Sequence, residues 1–287
     1  MRIDVALQTA AAKLRRPKSF TPRLDAEVIL AHLLRVTREH LATYPEQQVT
    51  APQQERFRWL IKQRERGVPV AYLTGSKEFF GLDFLVNRHV LIPRPESEAL
   101  VEAILALVTG KRAVTIADIG TGSGNLAIAI SRHLPQATVY AVDQSQAALA
   151  VARRNAKRLS ARVRFFRGDL LSPLTRVPLD VIVANLPYLP RGDNSWVSKP
   201  EANQLKHEPI RALYSDADGL GYYRTLLQQV TARRQFLRLV VCEIDARQSN
   251  QFIALATQLL PHYRCTSQAA NGVSVVCLQR TRLAAVR

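Results

Sequence analysis

Cysteine is scarce in this chain of 287 residues, and long apolar runs are missing from it. The three cysteines, Cys242, Cys265 and Cys277, stand in apolar, strand-like surroundings without the close pairing that zinc ligands need. Neither a disulfide framework nor a metal site is therefore expected, and buried thiols suit a reducing, cytoplasmic setting. No stretch reaches the roughly 18 consecutive apolar residues of a membrane-crossing helix, so no membrane span is expected. The opening M-R-I-D-V-A-L-Q-T-A-A-A-K-L-R-R lacks a continuous apolar core and a cleavage pattern. It reads as an amphipathic helix, with an organelle transit peptide as the alternative that its basic charge leaves open. His89, His133 and His207 show no paired ligand spacing and read as ordinary surface or core residues. Acidic residues are few, 23 against 40 Lys and Arg, for a formal net charge of +17. That excess invites a nucleic-acid reading, but it is spread, +7 in residues 1–95 and +10 in residues 96–287. The densest groups, Lys13-Arg15-Arg16-Lys18, Arg56 to Arg66 and Arg153-Arg154-Lys157-Arg158, read as solvated helix faces, with an RNA-proximal or acidic-partner surface as the alternative.

What is present is a change of periodicity along the chain. Leu24 to Leu34 and Gln54 to Arg64 repeat apolar residues at helical spacing, punctuated by Pro22, Pro45 and Pro52. Residues 1–74 are thus expected to form a small helical domain. Phe79 to Val86 clusters aromatic and β-branched residues between Gly75 and Pro93, which predicts a β-hairpin linker over residues 75–95. From Ser97 onward, helical and strand patterns alternate, the signature of a doubly wound, mostly parallel α/β sheet over residues 96–287. With 47% hydrophobic residues the chain can bury a core of that size. Strands are expected at Thr138 to Val142, Arg162 to Arg167, Phe236 to Ile244 and Val273 to Leu278, besides those that carry the motifs below.

The motifs lie at successive strand ends. Ile116 to Gly124 reads I-A-D-I-G-T-G-S-G before a helical run. Glycine lets the backbone turn sharply and approach a ligand, so Gly120, Thr121, Gly122, Ser123 and Gly124 form a candidate cradle for a nucleoside or amino-acid moiety. The spacing is G-x-G-x-G, neither the G-x-G-x-x-G of dinucleotide folds nor a P-loop, which disfavours a polyphosphate ligand. Asp143 closes the next strand, 25 residues beyond Asp118, where a carboxylate is placed to accept both hydroxyls of a ribose. Asp169 and Leu170 end the following strand, one able to accept an adenine amino hydrogen and the other to cover the ring. The apolar run D-V-I-V-A then delivers Asn185-Leu186-Pro187-Tyr188. Asn supplies a carbonyl acceptor, Pro stiffens the turn and Tyr offers a flat apolar face with a polar tip, a set able to hold a planar amide or amine. Singly, each motif also reads as a helix cap or a turn.

Together these features resemble the class I methyltransferases that use S-adenosylmethionine. The segments V-A-Y-L-T-G-S-K-E-F-F-G-L-D-F-L-V (Val70 to Val86), L-I-P-R-P-E-S-E (Leu91 to Glu98), Glu208-Pro209 and D-G-L-G-Y-Y-R (Asp218 to Arg224) narrow the resemblance to the HemK/PrmC family of protein-glutamine methyltransferases, over nearly the whole chain. The resemblance implies a Rossmann-like sheet whose last strand is antiparallel. It also implies that S-adenosylmethionine, released as S-adenosylhomocysteine, lies against Gly120 to Gly124, Asp143, Asp169, Leu170 and Asn185, and that Asn185, Leu186, Pro187 and Tyr188 bind and present the substrate amide. Arg94 and Glu96 either close that pocket or form a local ion pair. The D-G-L-G turn is placed near the site by the resemblance alone.

The substrate implied is the glutamine of the Gly-Gly-Gln motif of a peptide chain release factor, bound by a monomeric enzyme whose helical domain holds the factor's body, with ribosome proximity compatible. Leu186 stands where the family usually has proline, and Asn-Leu-Pro-Tyr also occurs in enzymes that dimethylate adenine in ribosomal RNA. The alternatives are therefore a glutamine of a large-subunit ribosomal protein and an adenine amino group of RNA or DNA. A non-catalytic ribosome-associated module is a further one, against which the glycine loop and Asp143 count.

Overall fold

The computed structural model describes residues 1–15, 19, 21–108, 113–192, 196, 199–233 and 237–281. Two basic residues singled out above, Arg16 and Lys18, and the expected strand start at Phe236 lie outside the described residues. The chain divides into two compact units, residues 1–76 with 194–209, and residues 77–193 with 210–287.

The first unit holds helices α1 (Ile3–Lys13), α2 (Pro22–Leu34), α3 (Arg38–Thr43), α4 (Ala51–Glu65) and α5 (Val70–Thr74). Pro22 and Pro52 fall in the first turns of α2 and α4, where a missing N–H costs nothing. Leu7, Ile29, Leu30, Phe57, Leu60 and Ile61 share its apolar core. One ion pair is sunk beside that core. Arg64 Nε donates to Asp25 Oδ2 at 2.8 Å, and Ser19 and Thr21 hydroxyls donate to the same carboxylate at 2.7 and 3.0 Å. These bonds satisfy a buried charge that would otherwise be costly. The helix Lys199–Leu205 belongs to this unit, and a Cβ on Gly67 would lie 2.6 Å from the Asn203 carbonyl oxygen. Trp59 is exposed on α4, with the Arg56 guanidinium 4.3 Å from its ring centre.

The second unit opens with a hairpin, β1 (Ser76–Phe79) and β2 (Leu82–Leu85), turned through Phe80 and Gly81 at φ of 52° and 70°. Two successive positive φ values are what a two-residue hairpin turn asks for. There follow α6 (Glu98–Leu107), β3 (Thr115–Ile119), α7 (Asn125–His133), β4 (Thr138–Asp143), α8 (Gln146–Arg158), β5 (Val163–Arg167) and β6 (Val181–Asn185). Past the Lys199–Leu205 helix (α9), the chain returns through α10 (Gly221–Thr231), β7 (Leu239–Asp245), α11 (Ser249–Leu259), β8 (Tyr263–Ala270) and β9 (Val273–Arg280). The sheet runs β5-β4-β3-β6-β7-β9-β8. Its first five strands are parallel and β9 runs antiparallel to β7, so the mixed α/β, Rossmann-like architecture expected from the sequence is the one observed.

Strand residues alternate between two cores. Ile116, Val181, Val183 and Val241 pack with α6 and α7, whereas Ala117, Ile182, Ala184 and Cys242 pack with α10 and α11. That alternation is why the central strands read as continuous apolar runs. The β8 strand is marked in the sequence only by the strand-like setting of Cys265, because Y-R-C-T-S-Q-A-A is mostly exposed at the sheet edge. Of the cysteines only Cys242 is fully buried; Cys265 and Cys277 are partly exposed, and all three are free. Among the described residues no helix is long and apolar enough to cross a membrane.

Ser145 caps α8, its hydroxyl accepting the Ala148 N–H at 3.1 Å. Ser145→Ala is expected to cost about 1 kcal/mol and to lower Tm by about 2–4 °C in a domain of this size, read by calorimetry. Its backbone N–H, which donates to Asp143, stays in place.

Candidate active site

In an open α/β sheet the ligand crevice lies where the strand order reverses, beyond the carboxyl ends of the strands. Here that place is between β3 and β6, with β4 and β5 on one side and β7 on the other.

The glycine loop leaves β3 at this point. Gly120, Gly122 and Gly124 take φ of 77°, 54° and 83°, which a side chain would resist. Asp118, at the end of β3, ties the loop to the helix it precedes: its Oδ2 accepts the Thr121 hydroxyl at 2.6 Å and the Ala127 N–H at 3.1 Å. Burial pushes the Asp118 carboxyl up to about 7, against those two bonds. Asn155 on α8 holds the loop from beyond. It is fully buried, donates to the Ser123 and Leu85 carbonyls at 2.9 and 3.0 Å, and accepts the Leu85 N–H at 2.8 Å. One side chain thus fastens hairpin to glycine loop.

The strand ends beside the loop are linked in a row. Asp143 Oδ2 accepts the Gly122 N–H at 2.9 Å and Oδ1 accepts the Ser145 N–H at 2.8 Å. Each oxygen keeps lone-pair capacity for a further donor such as a ribose hydroxyl. Burial raises this carboxyl above its usual range, opposed by the two backbone bonds. The Asp143 carbonyl accepts the Gly168 N–H at 3.2 Å, and Gln144 donates to the exposed Asp169 at 2.5 Å. Leu170 turns through a φ of 46° with its side chain packed into the core. Three glycines without Cβ atoms, an acceptor at Asp143 and a second at Asp169 supply the kinds of polar group that a nucleoside with a short amino-acid arm would meet.

On the other side of the switch point stands Asn185-Leu186-Pro187-Tyr188. A Cβ on Gly120 would lie 2.8 Å from Leu186 Cδ2, so the tetrapeptide and the glycine loop are in direct contact. Asn185 donates through Nδ2 to Ser97 Oγ and to Glu243 Oε1, each at 2.8 Å. The Leu186 N–H donates to Tyr223 Oη at 3.0 Å, and that hydroxyl donates to the Glu243 carbonyl. Burial raises the Tyr188 hydroxyl pKa, with the charges of Glu243, Asp245 and Glu96 adding and that of Arg94 opposing. Arg94 and Glu96 are therefore near enough to act electrostatically on the tetrapeptide. Gln248 donates to the Tyr188 and Asp218 carbonyls at 3.0 and 2.9 Å, which brings the D-G-L-G turn against Tyr188.

The sequence reading missed Ser97, Glu243, Tyr223, Asn155 and Gln248. Glu243 had a visible signal, a carboxylate amid the apolar run L-V-V-C-E-I-D, and Ser97 and Tyr223 stood inside P-R-P-E-S-E and D-G-L-G-Y-Y-R without a role, whereas Asn155 looks like an ordinary helix residue.

Comparison with known proteins is consistent along the chain. Residues 5–75 match the PrmC N-terminal domain and residues 95–197 the methyltransferase small domain. The chain is 37% identical over 267 residues to the release factor glutamine methyltransferase of Bacillus anthracis, covering 91% of this chain and 93% of that protein. It is 38% identical over 273 residues to that of Moorella thermoacetica, covering 92% and 95%. Among solved structures, the hMettl16 catalytic domain in complex with the MAT2A 3'UTR hairpin 6 shares the fold, with a TM-score of 0.56, 16% identity, and 80% and 82% coverage.

Proposed function

Because the chain belongs to the release factor glutamine methyltransferases, we propose that it transfers a methyl group from S-adenosylmethionine to the side-chain amide nitrogen of the glutamine in the Gly-Gly-Gln motif of a peptide chain release factor. The observation that carries this reading is the contact of the glycine loop with the Asn-Leu-Pro-Tyr turn across the switch point. It supports reading the loop as the cofactor cradle and the adjoining turn as the amide clamp.

S-adenosylmethionine supplies an already activated sulfonium methyl, so the protein need not provide a covalent nucleophile. Gly120, Thr121, Gly122, Ser123, Gly124, Asp143, Asp169, Leu170 and Asn185 are the residues that would hold it. The chain's own task is alignment. A glutamine nitrogen is a poor nucleophile because its lone pair is delocalised into the carbonyl. Asn185 Oδ1 and the Leu186 carbonyl each accept one of its N–H groups, which aims the nitrogen and favours the positive charge that develops on it until one of those protons is lost to solvent. Pro187 and Tyr188 wall the amide from water. The helical domain, residues 1–74, would hold the body of the factor, with residues 75–95 as the linker to the catalytic domain. The enzyme acts as a monomer in the cytoplasm, where a substrate of the translation machinery is met.

The test is transfer of labelled methyl from S-adenosylmethionine to purified release factor, to its Gly-Gly-Ala variant, to large-subunit ribosomal proteins and to unmodified ribosomal RNA. Label on the wild-type factor alone is expected. The Asn-Leu-Pro-Tyr sequence gives the RNA arm its point: label there would move the substrate to an adenine amino group and overturn the glutamine reading.

A further inference from the structure

Glu243 is a buried carboxylate beside Asn185 with no part in that mechanism. We propose that Glu243, together with Ser97, is a positioning residue that fixes the rotation of the Asn185 side-chain amide, so that the face presented to substrate is the acceptor Oδ1 and the site selects a nitrogen bearing hydrogens. The inference rests on the methyl-transfer reading for its consequence but on hydrogen-bond logic for its geometry.

An ionised carboxylate only accepts, and that constraint propagates. Glu243 Oε1 lies 2.8 Å from the Asn185 amide, so the atom facing it must be Nδ2. Ser97 Oγ lies 2.8 Å from the same amide nitrogen, and a hydroxyl that accepts there has its own hydrogen left to turn toward the Glu243 carboxylate, whose pKa it lowers. Both Nδ2 hydrogens are then used. Oδ1 is what remains for a ligand. An asparagine without these neighbours could present either end of its amide, and half of its orientations would repel an N–H.

The placement fits this role. Asn185 and Glu243 are register partners at the ends of adjacent parallel strands β6 and β7, so their side chains leave the sheet on one face. Ser97 reaches the same face from the residue before α6, in the P-R-P-E-S segment that the sequence singled out. Glu243 is 1% exposed, and its Oε2 has no hydrogen-bond partner. A carboxylate half-satisfied in a core is costly to keep, and a neutral strand residue would pack there without that cost. The main chain of Glu243 also anchors the neighbour of Asn185, because its carbonyl receives the Tyr223 hydroxyl that in turn accepts the Leu186 N–H. The Leu186 carbonyl itself lies 3.5 Å from that hydroxyl.

Protonation would undo the constraint. Burial pushes the Glu243 carboxyl up to about 7, opposed by Ser97 and Asn185, with Glu96 adding and Arg94 opposing. Tyr188 beyond β6 is within electrostatic reach of it, Asp245 lies two residues on along the same strand face, and Tyr223 meets the Glu243 carbonyl from the opposite face of the sheet. Below that pH the acid can donate, and Asn185 is free to turn its oxygen inward.

The experiment measures kcat against pH for wild type, Glu243→Gln, Ser97→Ala and Ser97→Thr on release factor, with cofactor affinity by calorimetry. Side-chain amide NMR of Asn185 in the cofactor-free protein accompanies it. Wild-type kcat is expected to fall as pH drops through about 7. A carboxamide in place of the Glu243 carboxylate offers either an acceptor or a donor to Asn185, so E243Q should lose at least about tenfold in kcat at pH 8 and lose the limb near neutrality, with cofactor Kd changed less than about twofold. S97A should lose less, and S97T should recover. The Asn185 amide protons should be protected in wild type and exchange faster in E243Q. Wild-type kinetics and protection in E243Q would overturn the proposal, as would equal losses in kcat and cofactor affinity. A wild-type enzyme inactive on release factor would count against the substrate reading alone, because the NMR measurement still tests the geometry.

Discussion

Asn185→Ala is expected to lower kcat for methyl transfer by about 100- to 1,000-fold, the loss that follows removal of one preorganised polar group at a reacting centre. Cofactor affinity should stay nearly unchanged, because the glycine loop is held by Asp118, Asn155 and Asp143 and by no bond from the Asn185 side chain. The Leu186 carbonyl would still accept one substrate hydrogen. The nitrogen would then rotate about that single bond and lose its alignment, a loss that falls on the reacting geometry more than on ground-state binding. A stability change should accompany it. Ser97 and Glu243 lose their shared donor, and a buried acceptor left unsatisfied costs about 1–3 kcal/mol. Single-turnover kinetics at saturating substrate, with cofactor binding measured in parallel, separate the two effects. Activity within tenfold of wild type would sink the clamp role, and a matching loss of cofactor affinity would mean that Asn185 serves mainly the cofactor and not the substrate amide.

The parts of this site that were legible in the sequence are those in which local chemistry and function coincide. Gly120, Gly122 and Gly124 advertise positive φ because no other residue takes it cheaply, and the Asp143 and Asn185 side chains interrupt apolar strands at the points where those strands end. What stayed hidden depends on pairing between distant segments. Nothing local in residue 97 or 155 says that one meets Asn185 across 88 positions or that the other bonds Leu85 across 70. Glu243 is the intermediate case, since a carboxylate in a fully buried strand signals a partner without naming it. The β8 strand was faint for the opposite reason: only Tyr263 and Cys265 of this edge strand pack inward, too few to betray its period.

Gly219→Ala is expected to couple stability to catalysis more strongly than any other change in the D-G-L-G turn. Gly219 sits at φ +77°, and an added Cβ would lie 2.2 Å from the Tyr188 carbonyl oxygen and 2.3 Å from Gln248 Nε2. The left-handed backbone alone costs an alanine about 1–2 kcal/mol, and overpacking a tight site adds about 1–3 kcal/mol. Neither neighbour can yield alone. The Tyr188 carbonyl is main chain, and the residue after it is paired on both sides, the Leu189 N–H to the Leu213 carbonyl and the Leu189 carbonyl to the Ser215 N–H, each at 3.0 Å. Gln248 is buried and spans Tyr188 and Asp218, so moving it breaks both bonds. The outer hold on the turn is weaker, because the Arg224 pairs with Asp216 and Asp218 are solvent-exposed and worth little. The strain should therefore divide, with the turn lifting outward and Tyr188 shifting toward the clamp. A lower Tm and a drop of at least about tenfold in kcat/KM for the protein substrate should appear together, since a misplacement of about 1 Å can cost 100-fold. Cofactor affinity should be spared, because Gly219 touches neither the glycine loop nor Asp143. An unchanged Tm with full activity would mean that the turn moves freely and that Tyr188 does not depend on it.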